Sequence, residues 1–301
     1  MATFTFNADS AEVTLTSGLT KVGSTAVMTG TSAQIDIIVD AGYGMAFDHS
    51  TSLESKEDVY WTPAEITTAL WLDADDAATI TLNGSTVSQW ADKSGNGNHV
   101  SQSSAASQPT YLSVGFSGKP SLRSDVGDSL EAATTALGRN VGGLTAAIVG
   151  MYPVGATFNA NTSDIYISTA NGVGSTRFLM SPNTSAGDNK YAVAGRRLDT
   201  DAYGFVSSTT DALANRGTPW IRIGNRDYSG GVANHWTNGT QDLTAAAIQT
   251  AGNTSDTDSL RTSIFSGVAD VSPNTELSEI VVMHSTMTTT DRQKLDRKSV
   301  V

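Results

Sequence analysis

Few residues in this chain could do chemistry, and their spacing narrows what that chemistry could be. Two acidic side chains, Glu276 and Glu279, lie close together in a stretch that reads as a strand. Retaining sugar hydrolysis needs two carboxyl groups about 5–5.5 Å apart. Alternate residues of a strand share a face, so an offset of three should send these two to opposite faces. The Glu-x-Asp-x-x-Glu pattern of glucanases is absent. The four histidines, His49, His99, His235 and His284, make no His-x-His or His-Glu-x-x-His pair, so no local zinc site is spelled out. No Gly-x-Ser-x-Gly elbow marks a nucleophilic serine. Asp73, Asp75, Asp76 and Asp92, with Asn96 and Asn98, offer hard oxygen ligands, and Ca2+ is the cofactor they would suit. Their spacing matches no calcium loop, and turn and cap roles explain them more simply. No residue is assigned a catalytic or metal-binding role.

Recognition is the other chemistry open to the chain. A sugar site would use aromatic faces and amides, and the candidates are Tyr152, Tyr203, Trp220, Tyr228 and Trp236. Phe4 and Phe6 are candidate contacts to a partner, since Thr3–Phe6 could act as an edge strand that adds to a partner's sheet. Arg196, Arg197, Arg216, Arg222 and Arg226 concentrate basic charge in the middle of an acidic chain. They read either as solvated strand faces or as a contact to an acidic protein.

The whole chain limits the partners. Its 301 residues carry 18 basic and 30 acidic side chains, a net charge of −12, which phosphate backbones would repel, so no nucleic-acid partner is expected. No apolar run approaches the roughly 20 residues of a membrane helix, and no membrane partner is expected. There is no cysteine, which removes disulfides, thiolate metal sites and thiol catalysis together. Met1–Phe6 lacks a basic stretch and an apolar core, so a chain made in a cytoplasm without a signal peptide is expected.

The elements that must hold these residues are β. Thr3–Phe6, Glu12–Thr16 and Gln34–Val39 alternate polar and apolar side chains, so residues 1–60 read as a small β module ending in a polar linker, His49–Asp58. Thr62-Pro63-Ala64-Glu65 is a cap signature that predicts a helix from Pro63 to about Leu70. Val87–Trp90, Ile165–Ile167, Arg177–Met180, Tyr191–Ala194, Trp220–Ile223 and Leu277–Met283 read as strands, and the apolar run Thr145–Met151 as a central one. Asp92–Gly97 is a tight reversal, and Asn238-Gly239 a two-residue hairpin turn. Thr288 and Asp291 open a short terminal helix through about Lys298. Many short strands and two short helices predict an all-β sandwich.

Three segments carry a resemblance. Leu70-Trp71-Leu72-Asp73-Ala74-Asp75, Val87-Ser88-Gln89-Trp90-Ala91-Asp92-Lys93-Ser94-Gly95-Asn96-Gly97 and Pro109-Thr110-Tyr111 resemble the opening of concanavalin A-like lectin/glucanase (LamG-like) jelly-roll domains. Gly118–Arg123 with Gly127–Leu130, Ala194–Asp199, and Glu276–Val282 with Asp291–Leu295 look like later family segments. The chain departs from the pattern at Ser124-Asp125-Val126, where Phe-Asp-Gly is usual, and Lys298-Ser299-Val300-Val301 stands where many members carry Lys-Trp-Gly. The likeness spans residues 62–298 and speaks for fold far more than for function. It implies a LamG-like jelly-roll β-sandwich over residues 61–301, with Trp71, Leu72 and Trp90 as core anchors, preceded by the β module of residues 1–60. Such domains are frequent in bacteriophage structural proteins and in bacterial surface proteins. The resemblance therefore implies a virion protein, a capsid decoration or head-fibre protein on the outer surface, assembled in the host cytoplasm. Residues 1–60 would bind the major capsid protein or other virion proteins. A carbohydrate-binding adhesin or tail component that meets host surface polysaccharide is the alternative, with a glycoside hydrolase ranked last, and self-association into a homo-oligomer is left open.

Overall fold

The computed structural model describes residues 2–7, 20–22, 25–30, 47–48, 63–125, 127–133, 135–158, 162–170, 175–182, 189–265 and 274–298. The chain divides into two compact units, Met1–Tyr60 and Trp61–Val301. In the first, β1 (Ala2–Asn7), β2 (Thr20–Val22), β3 (Thr25–Gly30) and β4 (Phe47–Asp48) form one sheet in the order β2-β3-β1-β4. β1 is flanked by β3 along its whole length and by β4 only at Thr5 and Phe6: Phe4 pairs with Met28, and Phe6 with Ala26 and Phe47, so among the described residues the β4 side of Ala2–Phe4 keeps an open edge. The expected strands Glu12–Thr16 and Gln34–Val39 and the linker His49–Asp58 lie outside the described residues.

The second unit is built almost wholly of antiparallel strands. They are β5 (Leu70–Asp73), β6 (Ile80–Asn83), β7 (Thr86–Trp90), β8 (Val100–Ser101), β9 (Thr110–Leu112), β10 (Ser121–Arg123), β11 (Leu130–Ala132), β12 (Gly143–Met151) and β13 (Ile165–Ser168). There follow β14 (Thr176–Ser181), β15 (Lys190–Gly195), β16 (Gly204–Asp211), β17 (Pro219–Asp227), β18 (Val232–Thr237), β19 (Thr240–Ala247), β20 (Arg261–Ile264), β21 (Glu276–Met283) and the helix α1 (Thr289–Lys298). One sheet runs β5-β21-β12-β17-β18-β19, with β10, and β9 beside it, joined at the start of β21. The other runs β6-β7-β8-β11-β20-β13-β14-β15-β16. The chain forms the all-β jelly-roll sandwich expected, with the small β module ahead of it in sequence.

Alternation along each strand fills the space between the sheets. Leu144, Ala146 and Ile148 of β12, Ile280 and Val282 of β21, and Phe178, Met180, Tyr191 and Val193 of the opposite sheet share one buried cluster. Gly224 lets the sheets approach, because a side chain there would meet Met180 Sδ at 2.8 Å. Residues of the opposite parity in the first sheet, Ala147, Ile221, Ile223, Val281 and Met283, face outward, where Leu295 of α1 packs with them. Thr288 caps that helix: its Oγ accepts from Asp291 N at 3.1 Å and donates to Asp291 Oδ2 at 2.6 Å. The other expected helix is a single 3-10 turn, Pro63–Glu65, because Leu70 and Trp71 are taken into β5 by pairing with Val282 and Val281. Leu72 and Trp90 are core residues as expected. Trp71, one residue out of phase with Leu72, lies on the outer face with the helix cluster instead, beneath the Lys93 ammonium at 4.4 Å.

The motif loop is a backbone clamp. Asp92 Oδ1 accepts from Trp71 N and Ser94 N at 2.9 Å each, and Oδ2 accepts from Asn98 N at 2.9 Å and Ser94 Oγ at 2.8 Å. Asn96 and Asn98 donate to Ala69 O. Asp92→Ala would strand several of these donors, and Trp71 N is buried. The expected loss is about 2 kcal/mol, or roughly 5 °C in thermal midpoint, with Asp92→Asn losing less. Calorimetry of the three proteins checks this, and an unshifted Asp92→Ala transition would refute the clamp.

Candidate functional site

The chemically suggestive residues fall into three groups. The first is buried between the sheets. Asp164, just before β13, accepts from Arg222 Nη1 of β17 at 2.5 Å and from the Tyr152 hydroxyl at 2.7 Å. Arg222 also reaches Ser181 O at 3.1 Å, and its guanidinium lies 3.8 Å from the Tyr191 ring centre. His235 of β18 contacts Asp242 of β19 through Nδ1 at 2.6 Å. Burial pushes the His235 imidazole below its ordinary value, more than the Asp242 contact raises it. The neutral ring carries its proton on Nδ1 and offers Nε2 to Arg222 Nε at 3.4 Å. Burial opposes ionisation of Asp242, but the hydrogen bonds from His235, Thr210 and Thr237 outweigh it and hold the carboxyl at about 2. Arg222, Asp164, Tyr152 and His235 are all fully buried, which makes this a structural clamp between sheets.

The second group holds the remaining candidates. Trp220 is 2% exposed and Tyr228 fully buried, so neither offers a ring face to a ligand, and Tyr152 is spent on Asp164. Trp236 is half-buried beside the helix cluster with Arg292 over its ring, and Tyr203 is half-buried against Tyr166, Leu179 and Ala194. The side chains of Phe4 and Phe6 lie outside the described residues. The arginines turn inward. Arg222 and Arg226 are fully buried, Arg196 donates to Asp199 O, and Arg216 donates to Leu213 O and Ala156 O. Arg197, paired with Asp201 at 3.7 Å, also donates to Asn253 O. They are neither a solvated face nor a basic docking patch. Asp73 and Asp76 converge on Lys93 at 2.9 and 2.8 Å, so two of the oxygen donors weighed for Ca2+ pair with an ammonium of the chain itself. Glu276 binds Arg123 and Ser121, and Glu279 accepts from Trp71 Nε1 at 2.9 Å. A bulge at Ser278 puts both Leu277 and Ile280 in the core, so these two glutamates fall on the same outer face, against the parity expected. Each keeps separate partners.

The third group was not singled out by the sequence. On the outer face of the second sheet, Glu131 of β11 and Arg261 of β20 sit diagonally across paired strands, with Arg261 Nε 2.8 Å from Glu131 Oε1. Ser263 Oγ adds to the same oxygen at 3.4 Å, and the guanidinium lies 5.9 Å from the Tyr166 ring centre. The pair lies in a cleft of about 490 Å³ whose rim includes Gln102, Ser107, Ser129 and Leu260. Leu260 is 55% exposed, an unusual position for a large apolar side chain. Glu131 and Arg261 are 130 residues apart, and only strand pairing brings them together.

No protein-family model matches the chain, and no curated protein resembles it. Solved structures do. A Trypanosoma rangeli sialidase in complex with a difluoro-nononic acid is 11% identical at TM-score 0.51, covering 76% of this chain and 32% of that one, so the chain spans about a third of its length. Domain 4 of an extracellular arabinanase from Geobacillus stearothermophilus, in complex with arabinotriose, is 11% identical at TM-score 0.51, over 76% of this chain and 98% of that one. Botulinum neurotoxin type C, in a structure concerned with its interaction with two ganglioside molecules, is 13% identical at TM-score 0.50, over 77% and 51%. At such identities the likeness is one of fold alone, an antiparallel β-sandwich.

The buried histidine has a pH consequence. His235 takes up a proton more readily in the unfolded chain, near pH 6.5, than in the fold, so its contribution to stability is present above that pH and lost as pH falls below it. His284, lowered by burial, acts in the same sense. The thermal midpoint should fall between about pH 7 and 5, and His235→Gln should flatten part of that fall. Equal slopes in the two proteins would contradict this.

Proposed function

We propose that residues 61–301 form a carbohydrate-binding domain that holds a polysaccharide without cleaving it. The observation that carries this reading is the outer-face cleft. It combines a carboxylate, a guanidinium, an amide and hydroxyls with one exposed apolar wall, the mixture of hydrogen-bonding and C–H contacts that a sugar ring offers in return. The two glutamates considered for hydrolysis are otherwise engaged, Glu276 by Arg123 and Glu279 by Trp71, and the cleft's own Glu131 is engaged by Arg261. The arabinanase relative adds support, because the likeness covers nearly the whole of a domain that was solved with arabinotriose.

A polysaccharide array probed with the full chain tests this. Binding to at least one polysaccharide is expected, with no release of reducing sugar. Leu260→Ala should weaken that binding about fivefold, the worth of one partly covered apolar side chain. Unaltered affinity would remove the cleft from the reading, and cleavage of the bound polymer would overturn the non-catalytic part.

A second reading keeps the attachment role of residues 1–60 on a virion surface, with capsid or other virion proteins as partners. The division into two compact units at Tyr60 and Trp61 favours an anchor joined to a display domain. None of the structural relatives named above is a virion protein, so the virion itself rests on the sequence resemblance. Deletion of residues 1–60 should abolish incorporation into particles while polysaccharide binding persists; unchanged incorporation defeats the anchor.

A further inference from the structure

We infer that the outer-face cleft selects uncharged sugar chains and rejects sialylated or uronate-bearing ones; this rests on the carbohydrate reading above and names its ligand class. Arg261 is the cation of the cleft, and a sugar carboxylate would need it. Its guanidinium is already bound by Glu131 through Nε at 2.8 Å and through Nη2, so that the two charges cancel in place. The arginine side chain is 17% exposed and the glutamate 35%, so the carboxylate is the more open of the two. A ligand entering the cleft therefore meets an acceptor first.

That order decides the chemistry of the ligand. A carboxylate oxygen only accepts hydrogen bonds, whereas a sugar hydroxyl both donates and accepts. Neighbouring hydroxyls of a neutral sugar can donate to Glu131 and accept from the serine hydroxyls at the rim. A sialic or uronic acid would set its own carboxylate against Glu131, leaving two acceptors facing each other at close range. Asp125 and Asp128 stand on the turn around Gly127 that lines the same cleft. The chain as a whole carries −12, so the long-range field opposes anions as well. Leu260 supplies an apolar wall for the C–H face of a ring, a contact that carries no charge requirement.

The test compares the full-length protein on matched neutral and acidic probes: arabinan and β-glucan against sialylated oligosaccharide and polygalacturonate, by titration calorimetry at low and high salt. The neutral probes should win by about tenfold or more, with affinity that does not change with salt. Glu131→Gln preserves shape while freeing the charge of Arg261, and should shift the neutral-to-acidic ratio about tenfold toward the acidic probes. Leu260→Lys, at an exposed position away from the core, adds a cation at the wall and should move the ratio the same way, should Glu131→Gln fold poorly. A wild-type preference for acidic probes, salt-sensitive binding, or an unmoved ratio in the variants would overturn the inference while leaving the carbohydrate reading intact. Binding to no probe of either class would remove that reading itself.

Discussion

The sandwich depends on a charge it has to keep neutralised. Arg222 projects from the middle of one sheet into the space between the two, where water cannot solvate it. Asp164 and Ser181 meet it from the opposite sheet, Tyr152 closes over Asp164, and His235 covers the remaining edge. A buried pair of this kind adds little net stability against an apolar pair of the same shape, but removal of one partner costs about 3–5 kcal/mol because the other charge is left stranded. The pair therefore acts as a register pin. Only one alignment of β17 against β13 and β14 lets Arg222 reach both of its oxygen partners. The aromatic rings around it, Tyr191 at 3.8 Å and Trp220 at 5.2 Å, accept the flat face of the guanidinium where apolar packing alone would leave it exposed to nothing favourable.

The same logic organises two further arginines. Arg177 binds Arg197 O and Asp199, Arg226 binds Gly195 O and Gln249, and Gly195 is kept free of a side chain because one there would collide with Arg177 O. Guanidinium groups suit this work, since their planar donors satisfy carbonyls at the ends of strands that would otherwise be unpaired. The consequence for function is indirect. With the arginines turned inward, the outer surface is left acidic and rich in uncharged polar groups, and the cation of the outer-face cleft is already neutralised. Such a surface suits recognition of neutral polar polymers better than of phosphates or acidic proteins.

Several elements were legible from short-range pattern. The apolar run at Thr145–Met151 is the central strand β12, Asn238-Gly239 is the hairpin turn between Thr237 and Thr240, and Thr288 with Asp291 caps α1. Each depends on interactions within a few residues, or on an alternation that any sandwich would use. The failures have long-range causes. Pro63 opens a cap signature, yet pairing with β21 claims the residues a helix would have used. The bulge at Ser278 leaves no mark in composition, yet it reverses the parity of every residue before it in β21. Thr3–Phe6 reads as a strand, and is one, but whether a strand is central or at an edge depends on segments remote in the chain.

The candidate site divides in the same way. Tyr203 and Trp236 keep partial exposure, whereas Trp220 and Tyr228, the same two residue types, are interior. An aromatic residue on a strand belongs to one face or the other, and composition cannot say which face is covered. By itself the amino-acid order determined an all-β chain, its reversals, its lack of thiol chemistry and its acidity, because these follow from local conformational preference and from counting charges. Tertiary structure alone decided that Glu131 meets Arg261, that the central arginines are interior, and that the carboxylates near the end of the chain are held apart by separate partners. Those facts arise from contacts between residues from about twenty to about two hundred positions apart, and the energy of such a contact exists only once the sheets have closed.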